Sequence, residues 1–159
     1  MNEVEFFRMV DVRGIDQLIR FWPFLLEGLT SLNAITSSSQ VDKNTLFRVC
    51  VDVATLSEDD GMIAIVMDKS TNQPLSYTIS FNNSHDYKKE KALLVYAIYS
   101  NRKSRTATRY GLNHVAEWAK SKGYDELHGN SPRITGAAVR LFENIFGFRK
   151  QALFLVRKL

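Results

Sequence analysis

The chain has one cysteine, Cys50, in 159 residues. One thiol makes no internal disulfide and no cysteine-rich zinc site, so the expected compartment is a reducing cytoplasm. Only 3 prolines and 8 glycines are present, too few for a low-complexity linker or a collagen-like repeat. The apolar stretch Phe21-Trp22-Pro23-Phe24-Leu25-Leu26 is far shorter than the roughly 20 residues of a membrane-spanning helix. Glu3 and Glu5 stand where a secretory leader carries basic residues. Three histidines and one cysteine, scattered, form no metal constellation. There is no G-x-S-x-G and no nucleophile spaced with a His and an acid.

What is present is an ordinary globular mixture, 45% hydrophobic and 24% charged, long enough to bury a core as a single domain over residues 1–159. The formal net charge of +4 hides an asymmetry. Residues 1–68 carry 5 basic against 11 acidic side chains, and residues 69–159 carry 16 against 6. The C-terminal half is therefore expected to handle something anionic. Arg102, Lys103, Arg105 and Arg109 fall within eight residues, with no acid between them.

Periodicity organises the chain. Residues 3–10 read as a strand, and Ile15, Leu18, Ile19, Trp22, Leu25, Leu26 and Leu29 follow helical spacing. Pro23 inside that pattern predicts a kink or a fresh helix start. Residues 40–57 read as a second helix, with Cys50 on its apolar face as a buried hydrophobe. Met62–Met67 and Leu75–Phe81, joined by the turn residues of 68–74, read as a hairpin. Residues 92–99 are apolar at successive positions, which predicts a central strand. A helix ending at Gly123, a short strand over 125–129, a helix entered through Ser131-Pro132 and stopped at Gly147, and a strand from Phe148 to Leu159 complete the order. The pattern is mixed α/β.

The central strand running into Asn101-Arg-Lys-Ser-Arg-Thr-Ala-Thr108 is the segment with the clearest chemistry. A helix N-terminus after a strand offers unpaired N–H groups and the positive end of a dipole. Arg and Lys add charge-assisted hydrogen bonds to phosphate oxygens. The reading is a site for a pyrophosphate-bearing cofactor, set against a solvated basic loop.

From residue 92 onward the chain resembles the GNAT superfamily of N-acetyltransferases. Lys103-Ser-Arg-Thr106-Ala-Thr108 occupies the register of that family's [Q/R]-x-x-G-x-[G/A] phosphate turn, and Ala138-Val-Arg-Leu-Phe142-Glu-Asn-Ile-Phe-Gly147-Phe148 resembles its A-x-x-L-Y-x-x-x-G-F ending. The resemblance implies an α/β (α+β) fold, a GNAT-like domain with a central mixed twisted sheet of about six strands and helices on both faces. It also implies acetyl-CoA as cofactor, an amine-bearing acceptor (small molecule or protein), and direct acetyl transfer.

Residue by residue, the resemblance places the backbone of Ile98 at the thioester oxygen and pantetheine. Lys103, Arg105, Thr106, Ala107 and Thr108 fall at the pyrophosphate, Arg102 or Arg109 at the outer phosphate, and Asn130 at the pantetheine arm or acceptor. Phe142 stands where the family carries the tyrosine assigned to protonating the leaving thiolate. Threonine replaces both turn glycines, adding a Cβ where backbone approach is close and a hydroxyl able to donate. Lys103 keeps a charge but lacks the planar fork of arginine.

Base candidates are Tyr96, Tyr99, Glu90, His85 and Asp86; His128 joins Asn130 at the end of the short strand. Packing is the stronger reading for both tyrosines. The family ends on two strands after its last helix, whereas the twelve residues from Phe148 allow one long strand or a cramped pair. That leaves an edge where a second copy of the chain, making a homodimer, or a substrate would pair. A catalytically weak GNAT-fold module that binds a protein partner is the alternative function. Nucleic-acid binding by the basic half ranks below both, for want of a reader motif.

Overall fold

The computed structural model describes residues 5–35, 42–84, 89–101, 105–129, 143 and 147–148. In chain order these form β1 (Phe7–Val12), α1 (Gly14–Ile35), α2 (Lys43–Thr55), β2 (Gly61–Asp68), β3 (Pro74–Asn82), β4 (Ala92–Ser100), α3 (Arg105–Ser121) and β5 (Glu126–Gly129). Apart from Glu143 and Phe148, the helix expected over 131–146 and the strand expected over 148–159 lie outside the described residues. So the described sheet has five strands where about six were expected, in the order β1-β2-β3-β4-β5. The first three pairings are antiparallel and β4–β5 is parallel.

β2 is covered on both faces, as is most of β3. Ile63, Ile65 and Met67 join Leu18, Leu25, Leu29, Cys50 and Val53 in the core under α1 and α2. Met62, Ala64 and Val66 face α3 with Leu93, Val115 and Ala107. The helices therefore pack on both faces, as expected. The centre differs: residues 61–67 are buried throughout, whereas β4 is buried only at its start. An unbroken apolar run marks a doubly covered strand, and both segments have one; covering depends on where the helices land.

Local chemistry sets the boundaries. Asp42 caps α2, its carboxylate accepting from the Asn44 and Thr45 amides at 2.8 Å and from the Thr45 hydroxyl at 2.7 Å. Those bonds, the Thr45 hydroxyl first, hold its carboxyl below the usual range. The β2–β3 turn is organised by Asp68, which accepts from Ser70 and Thr71, and Asn72 takes the left-handed conformation at φ 56. Gly123, at φ 78, stops α3 as expected.

Two boundaries depart from expectation. β1 is Phe7–Val12, shifted from 3–10, because Asp11 and Val12 continue the ladder opposite Ala64 and Ile63 while Phe6 points to solvent. Pro23 neither splits nor restarts the first helix, which runs continuously over Gly14–Ile35. The carbonyl deprived of its partner belongs to Ile19, whose side chain is 58% exposed. That turn lies on an exposed face of the helix, where solvent access reduces the usual penalty of about 3 kcal/mol.

The α1 side of the core is closed by Tyr77, which is 3% exposed and donates to the Leu25 carbonyl at 3.2 Å. Its ring fills the space beside Gly28, where a Cβ would meet Cε1 and Cζ at 2.6 Å. Gly28→Ala should destabilise the protein by about 1–3 kcal/mol through overpacking. Adding Tyr77→Phe, which removes the colliding hydroxyl, should make the double variant less destabilised than the sum of the singles; urea unfolding measures both.

Cys50 lies in the same core, fully buried, and burial pushes its thiol up to about 12. Native protein should leave it unmodified by Ellman's reagent from pH 7 to 9, with full reaction on denaturation. Fast native labelling would show that this core opens.

Candidate active site

The site begins with a miscount between two strands. β3 and β4 pair in step from Ser76–Ser100 to Ile79–Ala97, and then Ser80 pairs with Val95. Tyr96 is the extra residue, a β-bulge in β4. The same place ends the parallel ladder on the other side, for β5 pairs with β4 only from Ala92 to Val95. Beyond the bulge, residues 96–100 have no β5 partner among the described residues, and all five are half-buried. A strand edge without a partner presents backbone N–H and C=O groups. Ile98 lies in the middle of this segment, opposite Thr78.

β4 then leads to α3. No acidic side chain lies in its first turn, and Arg105 and Arg109 are both exposed there. Helices ordinarily place acids at this end, so two arginines oppose the local dipole. The two threonines diverge: Thr106 is exposed, whereas Thr108 is buried at 8% with Ala107 at 0%. Ala107 and Thr108 therefore turn their side chains toward the sheet, where the Ser76 hydroxyl donates to the Ala107 carbonyl at 3.4 Å. Close approach continues one turn on, since a Cβ at Gly111 would meet Val66 Cγ2 at 2.9 Å.

The opposite face of β4 meets α1. Tyr99 stacks with Tyr77 and Phe24 at ring-centroid distances of 5.5 and 5.7 Å. Its hydroxyl donates to Glu27 Oε1 at 2.8 Å. Tyr96 packs on Phe81 at 5.6 Å, and burial pushes its phenol above the usual tyrosine value.

Ile98, Tyr96, Arg105, Thr106, Ala107, Thr108 and Arg109 thus sit on one strand–helix unit, as expected. Arg102, Lys103, Asn130 and Phe142 lie outside the described residues, with His85 and Asp86. Glu90 is exposed in the turn before β4. His128 is engaged by Glu126 at 2.8 Å. Sequence reading missed two pairs: Glu27 with Tyr99, and His114 with Asp11 at 3.2 Å. Glu27 carried one signal, an acid one helical turn beyond Phe24 on the flank of an apolar stripe. His114 and Asp11 are 103 residues apart, and only the fold brings them together.

No family model and no curated protein matches the chain. Solved structures do. An aminoglycoside acetyltransferase from an uncultured soil metagenomic sample, solved with sisomicin, superposes with a TM-score of 0.70 at 11% identity, covering 98% of each chain. The ribosomal-protein-alanine N-acetyltransferase of Brucella melitensis gives 0.66 at 13% identity, over 96% of this chain and 99% of that one. An aminoglycoside N-acetyltransferase solved with CoA gives 0.69 at 14% identity, over 96% and 94%. At such identities the likeness is one of architecture: the chain has the fold of the GNAT-type N-acetyltransferases.

Proposed function

We propose that the protein is an acetyl-CoA-dependent N-acetyltransferase that passes the acetyl group directly to an amine acceptor. The observation that carries this reading is the bulge at Tyr96: the described ladder with β5 ends beside it, at Val95, and the edge of β4 beyond it feeds the arginine-rich start of α3. An extended acyl arm can add to such an edge while its diphosphate meets the helix N-terminus.

The residues suit that ligand. Arg105 and Arg109 bring positive charge to the exposed helix start, and Lys103 and Arg102 precede them in sequence. Thr108, turned into the sheet, does not put its Cβ on the solvent side of the turn, which leaves Thr106 as the hydroxyl placed to donate outward. Ala107 packs the turn onto the sheet. Acetyl-CoA would supply the activated acetyl thioester. The Ile98 backbone amide would donate to its oxygen as charge develops, an interaction worth about 3 kcal/mol when the donor is prearranged.

Asn130 would contact the pantetheine arm or the acceptor. Phe142 gives no proton to the departing sulfur; a thiolate with a pKa of about 8.5 leaves without one at modest cost. Tyr96 contributes through its bulged backbone, because a phenol whose pKa is raised keeps its proton. Direct transfer is favoured over a covalent relay because Cys50, the chain's one thiol, is fully buried and protonated.

Calorimetry tests the reading. Acetyl-CoA should bind in the micromolar range (about −8 kcal/mol) and raise the melting temperature. Arg105→Ala with Lys103→Ala should weaken acetyl-CoA about tenfold or more while leaving acetyl-pantetheine, which lacks the phosphates, unchanged. No heat and no thermal shift at millimolar acetyl-CoA would hand the fold to the alternative, a partner-binding module without catalysis. Equal losses for the two ligands would remove the phosphates from α3.

A further inference from the structure

We propose that Glu27 is a specificity-determining residue: it holds a second positive charge on the acceptor, so that the preferred acceptor is a dication with one amine to be acetylated and another to be held. The inference rests on the transferase reading above and deepens it.

The argument starts from where the carboxylate is fixed. The Glu27 side chain is exposed on α1, yet one of its oxygens accepts a hydrogen bond from the Tyr99 hydroxyl at 2.8 Å. That bond is not needed to satisfy a buried phenol. Tyr99 is only half-buried, whereas the buried tyrosine beside it, Tyr77, already donates to Leu25. What the bond does is orient a carboxylate that solvent would otherwise leave free to rotate.

Glu27 makes no ion pair with any Lys, Arg or His of the described residues. Among the described residues its negative charge therefore has no cationic partner, and it lies beside the half-buried ring of Tyr99, an aromatic of the kind that attracts cations. A carboxylate and an aromatic ring together form a setting for an alkylammonium.

The spacing then separates two roles. Tyr99 is the residue after Ile98, and its side chain spans from β4 to α1. The carboxylate thus lies a full tyrosine side chain from the strand backbone where acyl transfer would occur. An amine attacking there cannot also touch Glu27. The group that Glu27 holds must be a different cation of the same molecule, several bonds from the nucleophile. Holding it does not suppress the reaction, because the charge retained is not on the attacking nitrogen.

The test uses 1,4-diaminobutane and 4-amino-1-butanol, which differ by replacement of one ammonium with a hydroxyl. Each is titrated by calorimetry into CoA-saturated wild-type protein and Glu27→Gln, whose amide oxygen still accepts the Tyr99 bond while the charge is gone. Matching thermal melts check that the variant is folded. Wild type should bind the diamine about fivefold or more tighter than the amino alcohol, and Glu27→Gln should bring that ratio to about one.

A ratio near one in the wild type, or a preference that survives in Glu27→Gln, overturns the proposal. Acetyl-CoA titrated into the same preparations keeps the two readings apart. Absence of acetyl-CoA binding defeats the transferase reading, whereas acetyl-CoA binding without a diamine preference defeats only the role of Glu27. If CoA does not bind, the same pair titrated into the free protein still decides whether Glu27 selects a dication.

Discussion

An antiparallel ladder tolerates one unmatched residue only by bending, and here that residue is Tyr96. On one side β3 stays paired with β4 past the bulge, from Ala97 to Ser100. On the other, the parallel ladder with β5 stops at Val95 and Gly129. Among the described residues, both edges of β4 are paired before Tyr96 and the β3 edge is paired after it. The proposed chemistry depends on that change, since an extended arm needs amides on the β4 edge that no neighbouring strand has taken. The buried β2–β3 hairpin makes the arrangement stable, because β4 beyond the bulge is held along its β3 edge.

The two faces of the sheet then divide the work. α3 lies close on one face because the side chains between are small: Ser76, Thr78, Ala107 and Gly111. This brings a basic helix start directly beyond the end of β4. The other face carries large rings, with Phe24, Tyr77 and Tyr99 filling the gap between α1 and the strand and Gly28 giving Tyr77 its space. On the proposed reading, charge favours an anionic ligand on the first side, and Glu27 with the half-buried Tyr99 ring favours a cationic one on the second. The acidic and basic halves noted in the sequence fall in part into this division, with Glu27 on one side and Arg105 and Arg109 on the other.

Much of the frame was legible beforehand, for a physical reason. The β2–β3 hairpin, the helix over 43–55 and the stop at Gly123 are set by local chemistry: alternation, the Asp68 turn, an apolar face and a left-handed glycine. Burial of Cys50 followed from its place on that apolar face. What was not legible depends on long-range register. Nothing in Ala92–Ser100 marks Tyr96 as the unmatched residue, because a bulge is a property of two strands counted against each other. Helix continuity through Pro23 likewise depended on whether the Ile19 turn faced water.

The replacements of turn glycines illustrate the same limit at the candidate site. Read as letters, Thr106 and Thr108 are equivalent intrusions into a phosphate turn. Read in three dimensions they are not, since 100° per residue on a helix carries positions two apart to opposite sides. Thr108 goes under the helix, into a column of hydroxyls and small residues, while Thr106 stays in solvent. The steric objection to threonine therefore reduces to one side chain, and that one carries a donor to the surface where an anion would lie. Arginines at a helix start oppose the dipole when the site is empty; a bound diphosphate reverses the sign of that local field. If the proposed diphosphate binds here, the turn gives up some stability in the free protein and recovers it on binding, with side-chain charge in place of glycine's bare backbone.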